Sequence, residues 1–522
     1  FTLYADYKKN FNDRHDLSVM VGTSHESENY DRFTAKRINF DQQENMSLQL
    51  GSAQDQNAWS EGNQWTINSF FSRVNYTFAN KYVIEGTIRA DGSSRFDPDH
   101  RWGWFPGVNA AWRVGEEGFM KRLGWFEDLK VRASYGEMGN QSGIGLYDYI
   151  QLISLSNDYY PFGAGVKGQM ATSGNIISTS RTWETIQTTN VGFDFSTLNN
   201  RLYGSFDYFW KENKNMLIPK TYPSMLGADA PSTNSGHLSI HGWEISLGWR
   251  DQIKDFSYSV RFNISDAKNK VVDRVGSNLI KLGNNETPTG YPLNSYFGYE
   301  FDGIIQNEQE LEAYKSRFSE GGIPGDLSVG DAMYKDLDGD GKLSVLGDGK
   351  EGSGDVKYLG DKNPRYNFGF NLSMAWKGFD LSAFIQGVGR RTMFLEGESR
   401  CPMPEAWYQS AEYWYGKTWT PERTDAQYPA ITLKDKRNYN YYVSTNTKFN
   451  VAYARLKNLQ FGYTIPQTLT SKAGLQKVRV YFSGEDLFEV HNTPNGWDPE
   501  ENSGSITSYP FTRNYSFGIN VV

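Results

Sequence analysis

The sequence predicts an all-β chain, a large transmembrane antiparallel β-barrel of a Gram-negative outer membrane. Three observations carry this: strand-length period-two alternation repeated along the chain, connections that alternate short and long, and a composition rich in aromatic rings yet polar on average. Among 522 residues there are 33 Tyr, 32 Phe, 15 Trp and 52 Gly, while hydrophobic residues reach only 38%. Mean hydropathy is −0.64. A soluble core with so many rings would usually be filled out with more Leu and Ile. A barrel wall, wet on one face and aromatic on the other, has this mixture.

No run approaches the ~18 apolar residues of a transmembrane helix. A membrane crossing therefore has to be made by a closed sheet, because backbone groups in lipid need partners. The net charge of −8 argues against a general nucleic-acid binder. Cys401 is the single cysteine, so no disulfide framework exists within the chain, and it reads as incidental. No signal peptide is present, and the chain opens on a strand, so a preceding portion is expected.

The alternation is regular. In 201–211, Leu202, Gly204, Phe206, Tyr208 and Trp210 face one way and Arg201, Ser205, Asp207 and Lys211 the other. In 366–376, Tyr366, Phe368, Phe370, Leu372, Met374 and Trp376 alternate with Asn367, Gly369, Asn371 and Ser373. A β-sandwich would alternate too, but its strands are usually about five or six residues, and these run to about ten, the length of a tilted strand crossing a bilayer. Fifteen strands are expected, at 1–9, 15–23, 66–78, 81–92, 104–115, 127–138, 183–196, 201–212, 240–250, 255–266, 364–376, 379–390, 447–465, 476–487 and 511–522. Short turns fall at Asn10–Arg14, Ala79–Asn80, Thr197–Asn200, Asp251–Lys254 and Lys377–Gly378. Long connections fall near 24–64, 92–103, 139–182, 213–239, 267–363, 391–446 and 488–510, all on one side, as outer loops do. The whole of 1–522 reads as barrel, with 267–363 as a long extracellular loop region.

Several segments in order carry a resemblance: RADGSSRFDPDHRWGWFPGVNAAWRVGEEGFM (89–120), LKVRASYGEMGNQ (129–141), GYPLNSYFGYEFDGIIQNEQEL (290–311), GDAMYKDLDGDGKLS (330–344), GDVKYLGDKNPRYNFGFNLSMAWKGFDLSAFIQGVG (354–389), VRVYFSGEDLFEV with GWDPE (478–500), and the final YPFTRNYSFGINVV. As a set they resemble SusC/RagA-type TonB-dependent outer-membrane transporters. The resemblance implies a 22-stranded barrel, which is too wide to go unplugged, preceded by a plug domain and a TonB-interacting segment that this sequence does not contain. The fifteen strands would then be the C-terminal part. It also implies import of a bulky nutrient, foremost an oligosaccharide, with a SusD-like surface lipoprotein as lid and the TonB complex as motor. The resemblance also implies outer-membrane lipid around the wall and allows a dimer of transporter–lipoprotein pairs. Oligopeptide import is the first rival, and a passive porin or structural barrel the second. No catalytic constellation is present and the chain reads as a non-enzyme. Two departures from the family pattern are the missing terminal aromatic residue at Val522 and a Gly-rich insertion over 345–354.

One motif carries ligand chemistry. Asp336-Leu-Asp338-Gly-Asp340-Gly341-Lys342 matches the opening of a calcium loop. Carboxylates at alternate positions can converge on one cation, with the carbonyl of Lys342 as a further ligand. The twelfth position is Gly347, so Asp355 is expected as a displaced last ligand over 336–355, with Asp348 as the alternative. A structural Ca2+, ahead of Mg2+, is weighed against a solvated acidic turn. The loop aromatics Tyr159, Tyr160, Phe162, Trp407, Tyr408, Tyr413, Trp414, Tyr415 and Trp419 could stack on sugar, but packing of loops on one another or on a lid is preferred. Trp102, Trp104 and Trp112 belong to an interfacial girdle. His15, His25, His100, His237, His241 and His491 have no zinc spacing. The substrate-binding residues are not readable.

Overall fold

The computed structural model describes the chain except for residues 41–43, 45, 55, 157–160, 163–165, 168, 169, 175, 220–230, 275–282, 284–287, 347–353, 405–409, 433–435, 502, 503, 505–508 and 510. Fifteen strands form one antiparallel sheet, paired in chain order. They are β1 (Thr2–Phe11), β2 (His15–Lys36), β3 (Asn57–Phe78), β4 (Tyr82–Ser93), β5 (Trp102–Arg113), β6 (Asp128–Asn140), β7 (Glu184–Thr197), β8 (Leu202–Pro219), β9 (Ser232–Ile253), β10 (Phe256–Arg274), β11 (Arg365–Trp376), β12 (Phe379–Arg390), β13 (Tyr453–Thr464), β14 (Val478–His491) and β15 (Asn514–Val521). No helix of the described residues is long and apolar enough to cross a membrane. The edge strands are β1 and β15.

Tight turns join the strands at one end because their residues tolerate positive φ. Phe78 pairs with Tyr82 across Ala79 (φ 51°), Asn80 (φ 54°) and Lys81. Trp376 pairs with Phe379 across Lys377 (φ 45°) and Gly378 (φ 91°). Two consecutive left-handed residues match the right-handed twist of the flanking strands.

The registers turn sequence alternation into continuous rows. Tyr258, Met374, Leu381, Phe461, Phe482 and Phe517 lie directly opposite one another from β10 to β15. Nearer the tight turns, Phe256, Trp376, Phe379, Tyr463, Val480 and Ile519 form a second apolar row. On β1 to β5 the equivalent row is Phe11, His15, Phe78, Tyr82 and Trp112. Phe517 is 83% exposed and Trp376 50%, so these rings are bare in water and suited to lipid. Trp102 and Trp104 mark the far end of the same face of β5, also exposed, as a girdle requires.

Several strands run past their expected ends. β2 reaches Lys36 and stays paired with β3 up to Lys36–Asn57, although 24–64 reads as a loop. Likewise β8, β9 and β10 extend to Pro219, back to Ser232 and on to Arg274. Beyond the bilayer both faces meet water, so hydrogen bonding prolongs the ladder without alternation to signal it. In the other direction, the expected 447–465 strand is β13 alone, with Phe449–Asn450 pairing separately with Thr392–Met393.

By packing, the chain divides into two compact units. One comprises 1–112, 133–189 and 212–237. Its small core is Phe96, Phe105, Ile144 and Trp183, and the Trp183 indole N–H donates to the Arg101 carbonyl at 2.8 Å. The other comprises 113–132, 190–211 and 238–522. It holds a larger core made of loops: Tyr299, Ile305, Leu311, Tyr314, Leu327, Ala332, Tyr334 and Tyr439. A second cluster gathers Met393, Leu395, Cys401, Trp414, Tyr428, Tyr441, Val451 and Trp497. These segments pack like a soluble domain. A helix (Glu308–Lys315), capped by the Asn307 side chain accepting from the Glu310 N–H, buries Leu311 and Tyr314 there.

Candidate functional site

The face of the sheet opposite the apolar rows is a polar wall. Ser259, Ser373, Ser382, Gln460, Ser483 and Ser516 stand opposite one another across six strands. The next row is Arg261, Asn371, Phe384, Asn458, Glu485 and Asn514. Charges on the strands are held in bidentate pairs. Arg132 meets Asp207 at 2.6 and 2.7 Å and Asp194 at 3.1 and 3.2 Å. Arg479 donates to Asp380 at 2.9 and 2.5 Å. Such a wall offers hydroxyls and amides to a passing polar solute.

In the acidic loop, one carboxylate oxygen from each of Asp336, Asp338 and Asp340 lies within 4.8 Å of the others. Backbone N–H groups shape the turn: Gly339 and Gly341 donate to Asp336 at 2.6 and 2.9 Å, and Lys342 donates to Asp340 at 2.7 Å. Gly341 (φ 75°) turns its carbonyl toward Ser319, whose N–H donates to it at 2.8 Å. That carbonyl would be only 2.3 Å from a Cβ at position 322, so Gly322 permits the approach.

Asp355 stands outside the convergent set. It is fully buried, and its two oxygens accept from Leu337 at 2.6 Å and Ser344 at 2.8 Å, tying together both ends of the loop. Burial pushes the Asp355 carboxyl above the ordinary aspartate value, as does the proximity of Asp338 and Asp336. Asp338 is raised for the same reasons, burial first, then its acidic neighbours. Asp348 lies outside the described residues. Nearby, Lys335 (2.8 Å) and Lys357 (2.5 Å) hold the Glu300 carboxyl down at about 2.

Most described loop aromatics pack against other loop side chains. Trp414 is 3% exposed, packed edge-on against Tyr428 and Tyr441. The Tyr413 and Tyr428 hydroxyls are 2.7 Å apart. The Trp419 indole N–H donates to Gln306 at 3.0 Å. Tyr415 differs, being 90% exposed. Tyr159, Tyr160, Trp407 and Tyr408, and the side chain of Phe162, lie outside the described residues.

Two groupings escape sequence reasoning. Arg455 of β13 is 1% exposed and meets Glu489 at 2.6 Å, Asp498 at 2.5 Å and Glu500 at 3.2 Å. Lys457 joins Glu500 and Asp486. This network fastens the connection after β14 to the sheet. Its only signal in the sequence is a run of acids around Trp497. The second is a basic pocket at the ends of β10 to β12, lined by residues as far apart in sequence as His241 and Thr392.

Comparison with known proteins agrees with this architecture. Residues 1–487 match the family model for the TonB-dependent receptor-like β-barrel. TonB-dependent receptor P3 of Formosa agariphila is 31% identical over 548 aligned residues, covering 99% of this chain and 51% of that protein. TonB-dependent receptor SusC of Bacteroides thetaiotaomicron is 27% identical, covering 99% and 49%. The chain thus spans about half the length of the curated relatives it matches. A solved structure of the RagAB peptide transporter superposes with a TM-score of 0.81 at 22% identity, over 100% of this chain and 55% of that one, a likeness of fold. With its lipid-suited rows, polar wall and asymmetric connections, the chain belongs to the TonB-dependent receptor-like β-barrel family, of the SusC/RagA type, in the Gram-negative outer membrane.

Proposed function

We propose that the protein to which this chain belongs imports a bulky oligosaccharide across the outer membrane, driven by TonB and capped by a SusD-like lipoprotein. The observation that carries this reading is the unbroken row of hydroxyl and amide side chains from Ser259 to Ser516. Such groups exchange hydrogen bonds with a polyhydroxylated solute at little net cost. The likeness to SusC supports the saccharide reading. Oligopeptide import is the second reading, favoured by the fold shared with the RagAB peptide transporter. Growth of a deletion strain on single glycans and on defined peptides separates them. Loss of growth on a glycan, reproduced by disabling TonB, is the expected result. Loss on peptides alone transfers the cargo to the second reading, and unchanged growth on both overturns import.

The acidic loop fits a structural divalent cation, calcium ahead of magnesium. Asp336, Asp338 and Asp340 would hold it, with the Lys342 carbonyl as a further ligand, and Asp355 would fix the loop around it. Three clustered carboxylates, one with its acid form favoured by burial, gain from a neutralising charge. Metal analysis of the purified protein, and loop proteolysis with and without chelator, test this. Absence of bound metal together with an unchanged cleavage pattern would sink it.

A further inference from the structure

Beyond Ser24, β2 runs on with β3 as a ribbon, past the point where β4 stops at the Ile67–Ser93 pair. Thr66 still bonds on the β4 side: its C=O accepts from the Ser94 N–H at 3.0 Å, and its N–H donates to the Ser94 hydroxyl at 2.9 Å. The Gln64 N–H and C=O both meet the Tyr147 hydroxyl, at 3.0 and 3.2 Å. Successive residues of a strand point their backbone groups to opposite sides, so the even-numbered residues of β3 face away from β2. The series continues with Gly62, Ser60 and Ala58. These three have no backbone partner on that side among the described residues, and all of 57–62 is exposed.

An open strand edge in water is a template for a further strand. The side chains beside this edge define what that strand carries. Asp31 leans over Gly62, its Oδ1 2.8 Å from where a Cβ would stand, and makes no ion pair among the described residues. Glycine thus leaves the carboxylate open to a cation from a strand about 4.8 Å further on. Ser60 pairs with Phe33, which is 73% exposed, so an apolar side chain opposite Ser60 would cover that ring. On the other face Glu61, shared with Arg32 at 3.4 Å, stands between Trp59 and Asn63. Over 24–66 seven acidic residues stand against three basic ones, so a basic segment is the complement. Bare apolar side chains continue toward the hairpin tip at Ile38, Leu48 and Leu50, more than a short free peptide would cover.

We propose that the β3 edge at 58–62 is a strand-addition site for an extended basic segment of a protein partner. The main chain of that segment takes the outward groups of Ala58, Ser60 and Gly62. A lysine or arginine opposite Gly62 meets Asp31, and an apolar residue opposite Ser60 covers Phe33. The rest of the partner covers the apolar tip of the hairpin.

The test uses the full-length protein in detergent and the octapeptide TKTVTKTV, which alternates basic and apolar residues along one face. An acidic counterpart, TETVTETV, and a fully N-methylated TKTVTKTV are the controls. Calorimetry should show binding of the basic peptide that weakens with salt and is lost on N-methylation. Ser60→Pro removes an outward N–H and leaves the bonds to β2, so it should weaken binding roughly tenfold without altering the heat-modifiable gel shift. Asp31→Asn should weaken binding up to about fivefold. Equal binding by wild type and Ser60→Pro overturns the proposal, as does equal binding of the N-methylated and unmodified peptides. Equal binding of acidic and basic peptides, or no binding at all, also overturns it. So does a wild type that self-associates and is dispersed by Ser60→Pro, since the occupant is then a second copy. Should Ser60→Pro lose the gel shift, the comparison of N-methylated and unmodified peptides on wild type decides alone.

Discussion

At the residue scale, the buried tyrosines of the outer loops show why aromatic content misleads. The Tyr334 hydroxyl donates to the Tyr439 carbonyl at 2.8 Å, while the Tyr314 hydroxyl lies 2.8 Å from that of Tyr439. Tyr334→Phe leaves that buried carbonyl only the longer bond from the Tyr442 N–H at 3.4 Å and should cost about 0.5–1.5 kcal/mol, read as faster proteolysis between residues 295 and 345. The acidic loop makes a pH prediction. Asp338 and Asp355 have raised carboxyl pKa values, so the folded loop favours their protonated forms. Their contribution is therefore complete at low pH and is lost as pH rises above 3.8 through the raised values. In chelator the loop should become more protease-sensitive over that rise, and calcium should abolish the trend. Glu300 runs the opposite way: its lysine pairs stabilise above 4.5 and fade as pH falls toward about 2. It is exposed enough that salt should weaken this effect.

At the element scale, register does what no single strand can. The row from Tyr258 to Phe517 is apolar because six strands each place a large side chain at the same height. Phe461→Arg would set a charge into that band. Only two residues from the turn-side row, the charge should cost up to about 1 kcal/mol, the value near an interface, measured as a lower urea midpoint for the heat-modifiable gel shift. The tight turns were legible because Asn and Gly tolerate left-handed backbone. The strand extensions past the bilayer were not, since β2 beyond Ser24 alternates with nothing: Glu26, Glu28, Tyr30 and Arg32 are all exposed.

For the whole molecule, the sheet edges matter most. β1 and β15 each have one neighbour, so each carries a ladder of unpaired N–H and C=O groups. Lipid tolerates no such edge, and in water it templates aggregation. Expressed by itself, this chain should form aggregates lacking a heat-modifiable gel shift. A folded, heat-modifiable form of the chain alone would contradict this.

The sequence by itself determined the fold class, fifteen strands, the placement of the tight turns and the acidic triplet. All are local: alternation, turn chemistry and short spacing act within a dozen residues. Only the tertiary structure decided that Asp355 braces amides and stands apart from the triplet, that Trp414 is core with Tyr413 packed against it, and that Arg365 faces Arg390. Those outcomes depend on which distant segments pack together. Loop packing is set by shape and by hydrogen-bond satisfaction across a hundred or more residues, and neither leaves a period in the sequence.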